Sequence, residues 1–215
     1  MKRGLVAIFT CGVLLAAAIT FQVNPRQWTL YGLGLKNLPK AYQPVALPSG
    51  GTGFQITFPA SSSNKWAGYL LPNAGNFSLT TSDTLVMTTQ LVTTGTPVFN
   101  YMSNPDNTCI DPAHFRPYIK SSNSIDWWSN PQAFLLDQSV AGSQTTLVLP
   151  LDPSQWSDVS GVFANTNAAT LAYFQQSLAN ITAIGLTAGG GCFFSHGVNV
   201  SGGTATFQVL DIHTF

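Results

Sequence analysis

The sequence predicts an all-β protein, a two-sheet antiparallel jelly-roll sandwich with one short helix in a connection. Only 7% of the 215 residues are charged and none is Glu, so the composition disfavours helices, while strand-forming Thr, Val, Phe and Tyr are frequent. Short alternations of apolar and polar residues recur between turn signals rich in Pro, Gly, Asn and Ser. Their number and spacing are typical of a sandwich, and a single domain of this kind can reach this length.

The N-terminus has the pattern of an export signal. Met1-Lys2-Arg3 is a short basic start, and residues 4–21 carry no charge. Ala16 and Ala18 supply the small residues of an A-x-A cleavage site. The sequence therefore predicts a signal peptide over residues 1–20 and a secreted, periplasmic or cell-envelope location. An uncleaved N-terminal anchor is the alternative, because the apolar run approaches the length of a membrane span.

Residues 21–53 contain many prolines and glycines without a sustained period, which predicts an extended lead-in or linker. The sandwich domain is then expected over residues 54–215. Its clearest strand is 84–94, where Leu85, Met87 and Leu91 share one face. The other predicted strands lie at 55–58, 66–71, 98–102, 115–120, 133–136, 145–149, 181–187 and 204–212.

One helix interrupts the series of strands. Asn167 can cap a helix N-terminus, and Leu171, Phe174 and Leu178 follow at i, i+3 and i+7. A single short helix in a long connection is compatible with a sandwich that is covered at one end.

Two cysteines, Cys109 and Cys192, lie beyond the predicted signal. In an exported chain such a pair predicts a disulfide. Closing the loop between them would stabilise the fold by roughly 4.5 kcal/mol in the chain-entropy treatment. Two buried free thiols are the alternative reading, and two cysteines without His at ligand spacing do not form a zinc site.

Several segments together resemble a known class of protein. They are Lys65-Trp66-Ala67-Gly68-Tyr69, Arg116-Pro117-Tyr118, Asp126-Trp127-Trp128-Ser129-Asn130-Pro131, Leu149-Pro150-Leu151-Asp152-Pro153-Ser154-Gln155-Trp156 and Gly189-Gly190-Gly191-Cys192-Phe193-Phe194-Ser195-His196-Gly197-Val198. This set resembles bacterial exported jelly-roll proteins of the galactose-binding-like, carbohydrate-binding-module type. The resemblance covers residues 54–215 and implies a ligand site on a concave sheet face or a loop rim. It implies no catalytic residue.

Trp127 and Trp128 are the first candidates for contact with a ligand. Adjacent residues of a strand point to opposite faces, so one indole can enter the core while the other offers a flat ring to a sugar. The alternative is that both rings pack internally. Tyr118 is a further candidate ring.

Three residues are candidate hydrogen-bond donors to the same ligand, namely Arg116, Asn100 and Asn123. The Arg116 guanidinium is a fork of donors that suits a carboxylate or adjacent hydroxyls. Its alternative partner is Asp111 or Asp126 within the protein itself.

The predicted function is therefore a non-catalytic exported carbohydrate-binding-type module. A structural or adhesive cell-envelope protein without a small ligand is the second hypothesis, and a glycoside hydrolase using two Asp carboxylates is the third. Most Asp residues stand in turn contexts, which weakens the third. His196 follows Ser195, but no G-x-S-x-G context supports a triad.

Composition also limits the partners. Loss of Lys2 and Arg3 with the signal leaves six basic residues against eight Asp, and no basic run tracks phosphates, so nucleic acid is excluded. No cofactor is expected, although carbonyls and turn Asp residues are able to hold a structural Ca²⁺. A membrane would be contacted only through an uncleaved N-terminal segment.

Overall fold

The computed structural model describes residues 19–73, 75–101, 111–122, 127–190 and 196–215. These residues form two antiparallel sheets and one α-helix, α1 (Ala168–Leu178). The strands are β1 (Ile19–Thr20), β2 (Trp28–Tyr31), β3 (Val45–Ala46), β4 (Phe54–Thr57), β5 (Tyr69–Pro72), β6 (Thr84–Tyr101), β7 (His114–Ser121), β8 (Trp128–Ser129), β9 (Phe134–Leu135), β10 (Gln144–Pro150), β11 (Ile181–Gly189) and β12 (Val198–Thr214). Short 3₁₀ turns lie at Pro25–Gln27, Leu33–Leu35, Lys40–Tyr42, Ser61–Ser63 and Pro153–Gln155.

The strand order is that of a jelly roll. Sheet A has the order β10-β6-β12-β4-β3, and β1 also pairs with β12. Sheet B has the order β2-β5-β11-β7-β8, and β9 also pairs with β7. From β4 onwards the chain passes repeatedly between the sheets, which places β4, β6, β10 and β12 in sheet A and β5, β7, β8 and β11 in sheet B. Such wrapping of antiparallel strands defines the jelly roll, so the predicted fold class is confirmed.

The core lies between the inner faces of the two sheets. Leu85, Met87 and Leu91 of β6 are all buried on one face, as their spacing predicts. Phe207 of β12 reaches across from sheet A, and its ring centre lies 4.6 Å from that of Phe115 in β7. The alternation of side chains along each strand therefore decides which residues pack between the two sheets.

Helix α1 covers one flank of this core. Asn167 caps it, because its side-chain oxygen accepts a hydrogen bond from Thr170 N–H at 2.9 Å. The buried ring of Phe174 lies 4.9 Å from that of Trp128 and stacks against Trp156 at 6.4 Å. The predicted helix is confirmed, and three aromatic rings attach it to the sandwich.

The predicted lead-in is part of the sandwich. Strand β2 pairs with β5 at one edge of sheet B, and β3 pairs with β4 at one edge of sheet A. Trp28 and Leu30 are buried, and the Trp28 ring lies 5.0 Å from the ring of Phe54. Strand pairing and burial of these side chains hold β2 and β3 against the rest of the domain.

Several predicted features fall outside the described residues. These include most of the predicted signal, Cys109, Cys192, Asn123 and Asp126. The disulfide therefore stays a prediction. Within the part of the chain that the structure describes, no helix combines the length and apolar character needed to cross a membrane.

Candidate functional site

The outer face of sheet B carries the most distinctive chemistry. Along β7, Phe115 and Ile119 enter the core, so alternation turns Arg116, Tyr118 and Lys120 to the other face. Strand β11 lies beside β7, followed by β5 and β2. The guanidinium of Arg116, the phenol of Tyr118 and the ammonium of Lys120 thus follow one another along the outer face of sheet B.

Aromatic side chains form a cluster on this face. The cluster, called here the outer aromatic cluster, consists of Tyr31, Leu35, Tyr69, Leu71, Tyr118 and Trp127. The ring of Trp127 lies 5.0 Å from that of Tyr118 and 5.4 Å from that of Tyr69, in both cases edge to face. This arrangement suits the quadrupoles of aromatic rings. Trp127 is therefore fixed in orientation while part of its surface remains exposed.

Lys120 is a further side chain that interacts with the ring of Trp127. Its ammonium nitrogen lies 5.6 Å from the centre of the indole ring, within the range of a cation–π interaction. Lys120 precedes the end of β7 and stands beside Trp127 across the β7–β8 ladder. The cation and the ring therefore form one unit on the surface of sheet B.

A groove lies next to this unit. Its volume is about 610 Å³, within the range of small-ligand sites, and Lys120 is the single charged side chain among its described lining residues. The lining residues are Tyr31, Leu35, Leu71, Pro72, Asn73, Lys120, Ser121, Ser122, Thr182 and Ala183. The groove thus joins an apolar wall to amide, hydroxyl and ammonium groups.

Two polar residues of the groove are held in place by the backbone around them. The Asn73 amide donates to the carbonyl of Arg26 at 3.2 Å and accepts from the Thr29 hydroxyl at 3.3 Å. The Thr182 hydroxyl donates to the carbonyl of Lys120 at 3.2 Å. These bonds orient both groups before any ligand arrives, which reduces the entropy lost on binding.

The structure separates the two adjacent tryptophans. Trp128 has no exposed surface, packs in the core, and donates from its indole nitrogen to the Ser177 hydroxyl at 3.0 Å. Tyr118 is also fully buried, beneath Trp127. A side chain without exposed surface cannot stack on a ligand, so Trp128 and Tyr118 have packing roles and Trp127 is the indole with part of its surface exposed.

Arg116 is engaged within the protein. Its guanidinium nitrogen lies 3.0 Å from a carboxylate oxygen of Asp111, which is one of the two internal partners that the sequence allowed. Burial lowers the pKa of Arg116, and the Asp111 carboxylate opposes that shift. Because this donor is already paired, the groove does not depend on it.

Of the two predicted asparagines, Asn100 does not line the groove. Asn100 lies on β6 of sheet A, and its amide donates to the side-chain oxygens of Asn199 at 3.0 Å and Ser201 at 3.3 Å. Asn123 falls outside the described residues.

His114 begins the same row of side chains on β7. One ring nitrogen, Nδ1, lies 2.7 Å from the carbonyl oxygen of Pro112, and the other, Nε2, is buried without a partner. Burial and, to a smaller extent, the nearby Arg116 lower the pKa of His114 to about 4, although the Pro112 hydrogen bond and Asp111 oppose the shift. The neutral ring donates through Nδ1, so His114 is an uncharged buried group at pH 7.

Sequence reasoning missed Tyr31, Tyr69 and Lys120. Alternation along β7 places Lys120 on the same face as Tyr118, so the sequence alone could have identified Lys120. Tyr31 and Tyr69 are register partners in β2 and β5. Their pairing is non-local, and no local pattern indicates it.

Five of the six described Asp side chains have local structural roles. Asp83, Asp152 and Asp158 accept hydrogen bonds from backbone N–H groups of their own turns, at 2.6 to 2.8 Å. Asp111 pairs with Arg116, and Asp211 lies 2.6 Å from a ring nitrogen of His213. No cluster of three His, Cys or Asp side chains suited to a metal ion occurs among the described residues.

A second cavity of similar volume, about 610 Å³, lies beneath the N-terminal segment. Its lining runs from Thr20 to Arg26 and includes Gly51, Gly53 and Asp211. It contains Phe21, but that ring packs edge to face on Phe77 at 5.0 Å. The groove on sheet B is distinguished by its lining cation, Lys120, which lies over the aromatic ring of Trp127.

Fold and cavity together define a jelly-roll sandwich with a groove on the outer face of one sheet. No family model and no curated protein matches the chain.

Proposed function

We propose that the protein is an exported, non-catalytic carbohydrate-binding module whose ligand lies in the groove on sheet B. One observation carries the proposal, namely that Lys120 and Tyr31 line a groove beside the partly exposed ring of Trp127, which Tyr118 and Lys120 hold in orientation. Sugars present apolar C–H faces and many hydroxyls. A site for them needs flat rings together with neutral or cationic donors, and this groove supplies both.

The groove chemistry also sets the expected affinity. Asn73 and Thr182 are pre-oriented, but the site is shallow, and a ligand must displace water that is already hydrogen-bonded. We therefore expect dissociation constants on the order of micromolar to millimolar, or about −8 to −4 kcal/mol.

The test combines a glycan array with calorimetry on the wild type and on Trp127→Ala, Tyr31→Ala and Thr204→Ala. Each ring substitution should weaken binding at least about tenfold, which corresponds to about 1.4 kcal/mol. Thr204 lies on the exposed face of sheet A, so its substitution should leave binding unchanged. Circular dichroism confirms that each variant is folded.

Two outcomes would contradict the proposal. If the wild type binds no oligosaccharide or polysaccharide at millimolar concentration, the structural or adhesive function takes its place. The uncharged outer rows of sheet A, described below, favour that second function. If binding persists in both ring variants, a ligand exists but the groove is not its site.

Export and the disulfide belong to the same proposal. Strand β1 (Ile19–Thr20) pairs with β12 and forms the last two residues of the predicted signal, so cleavage after Ala18 would leave this pairing in the mature chain. An intact Met1 on membrane-bound protein, detected by mass spectrometry, would contradict cleavage.

The proposed Cys109–Cys192 bridge is supported by the residues that flank its two segments. His114 and Gly189 are register partners, and a side chain at Gly190 would strike the ring of Tyr101. Titration of the denatured, unreduced protein should find no free thiol at either cysteine.

A further inference from the structure

Strand β10 is an open edge of sheet A. Its seven residues pair with β6 on one side, and no other strand of the described residues pairs with them. The segment Gln144–Pro150 carries no charge, and most of its side chains are exposed. Open edges in soluble proteins are normally protected by charge, by short length or by a covering segment.

The other sheet edges have such protection. At β2, Leu30 N–H donates to the side-chain oxygen of Gln43 at 2.9 Å, and the Gln43 amide donates to the Leu30 carbonyl at 2.9 Å. At β8, Ser129 exchanges backbone hydrogen bonds with Ser157 at 2.9 and 3.0 Å. Strand β3 has only two residues. Strand β10 is therefore exceptional among the described edges.

The free backbone groups of β10 can be identified from its register. Leu151 N–H donates to the Asp83 carbonyl at 2.9 Å, directly beyond the last pair of the β10–β6 ladder. Bonds alternate in antiparallel pairs, so the residues that direct N–H and C=O away from β6 are Gln144, Thr146 and Val148. Pro150 ends this run, because it has no N–H and its carbonyl accepts from the indole nitrogen of Trp156 at 2.9 Å.

We propose that a second copy of this chain pairs antiparallel with β10 across a twofold axis at Thr146. In that register Gln144 lies opposite the partner subunit's Val148, and the N–H and C=O of all three free residues find a partner. The contact is isologous, as a twofold dimer requires. No charge is brought opposite a like charge, because the strand has none.

Side chains on the outer face of β10 also favour a second copy of the chain as the partner. The Thr146 hydroxyl lies 2.9 Å from that of Thr88 on β6, so the axis would place two such threonine pairs side by side. Threonine pairs across strands are favourable neighbours in antiparallel sheets. The two A sheets would then form one continuous sheet, while both grooves on sheet B remain open.

The experiment measures the mass of the full mature protein by sedimentation velocity over a range of concentrations. We expect a monomer–dimer equilibrium in the wild type. Thr146→Lys places two ammonium groups together at the axis and should raise the dimer dissociation constant at least about tenfold at low salt, with partial recovery at high salt. Thr204→Lys puts the same charge on the same face of β12, away from the edge, and should leave the dimer intact.

Thr146→Pro provides a second variant. It removes an N–H that β6 does not use, so the fold should survive while the dimer is lost. A wild type that stays monomeric up to about 1 mM, or a dimer unaffected by Thr146→Lys, would overturn the proposal. Glycan binding by Thr146→Lys should equal that of the wild type, because the groove lies on the other sheet.

Discussion

The outer faces of the two sheets follow the same alternation but differ in chemistry. Sheet B presents the outer aromatic cluster, two cations and a buried neutral His114. Apart from Asp211 and His213 near the end of β12, sheet A presents neutral side chains in register across its strands, in pairs such as Thr94 with Thr204 at 2.6 Å and Gln208 with Gln55 at 3.0 Å. One row consists of Gln144, Gln90, Gln208 and Gln55 on four successive strands.

This difference shows how one fold separates two tasks. On sheet B, rings and polar groups are partly or wholly removed from water, so changes there should alter both stability and binding. On sheet A, hydroxyls and amides bond to one another at the water boundary, where a net hydrogen bond contributes little. The predictions below test this contrast.

The largest expected effect is the difference in free energy of unfolding between variants of the two neighbouring tryptophans. Trp128→Ala should lower the free energy of unfolding by about 3 to 5 kcal/mol, because it empties a fully buried site against Phe174. Trp127→Ala removes edge-to-face contacts at the surface and should cost about 1 to 2 kcal/mol. Urea denaturation of both variants measures the difference. Equal losses would show that the two rings are equivalent.

The second effect is a pH dependence centred on His114. Its pKa in the folded protein, about 4, lies below its ordinary value of 6.5, so protons bind preferentially to the unfolded chain. The stability that this group contributes is therefore complete above pH 6.5 and declines as the pH falls towards 4. The total loss is about 3 kcal/mol.

Urea denaturation at pH 7 and pH 5 measures the part of this loss that falls between those two values, about 2 kcal/mol, and His114→Gln should reduce it. Gln208→Ala, on the other sheet, removes no titratable group, so it is the control and should retain the wild-type dependence. A His114→Gln profile identical to that of the wild type would refute the assignment.

The smallest effect is expected on sheet A. Gln208→Ala removes one bond to Gln55 at a partly exposed position and should change the free energy of unfolding by less than about 0.5 kcal/mol. Thermal unfolding of the variant beside the wild type measures the change. A loss above about 2 kcal/mol would mean that the glutamine row acts as a buried network, and the contrast between the faces would fail.

The fold was accessible from the sequence because its signals are local. Leu85, Met87 and Leu91 alternate within one strand, and Asn167 precedes one apolar helical face, so both elements could be predicted with their buried sides. Strand β2 could not, because its four residues gain their structure from β5, about forty residues away. The Pro- and Gly-rich turns around β2 concealed the short apolar alternation of Trp28 and Leu30.

The candidate site was accessible only in part. Strand parity predicts that the two tryptophans face opposite ways, but it does not say which of them is buried; that is decided by packing of Trp128 on α1. Arg116 is engaged by Asp111, a pairing that the sequence allowed beside Asp126. The groove itself depends on Tyr31 meeting Tyr69, and only the complete sheet order brings these residues together.

The position of β12 constrains the order in which the protein is able to fold during synthesis. This strand pairs with β6, β4 and β1, yet it follows all of them along the chain. Sheet A therefore lacks its central strand until residues 198–214 have left the ribosome. Until then β6 has no partner strand on the side that β12 occupies in the folded protein. Because such long-range pairing is slow, we expect a nascent chain shortened before β12 to remain unfolded and sensitive to protease.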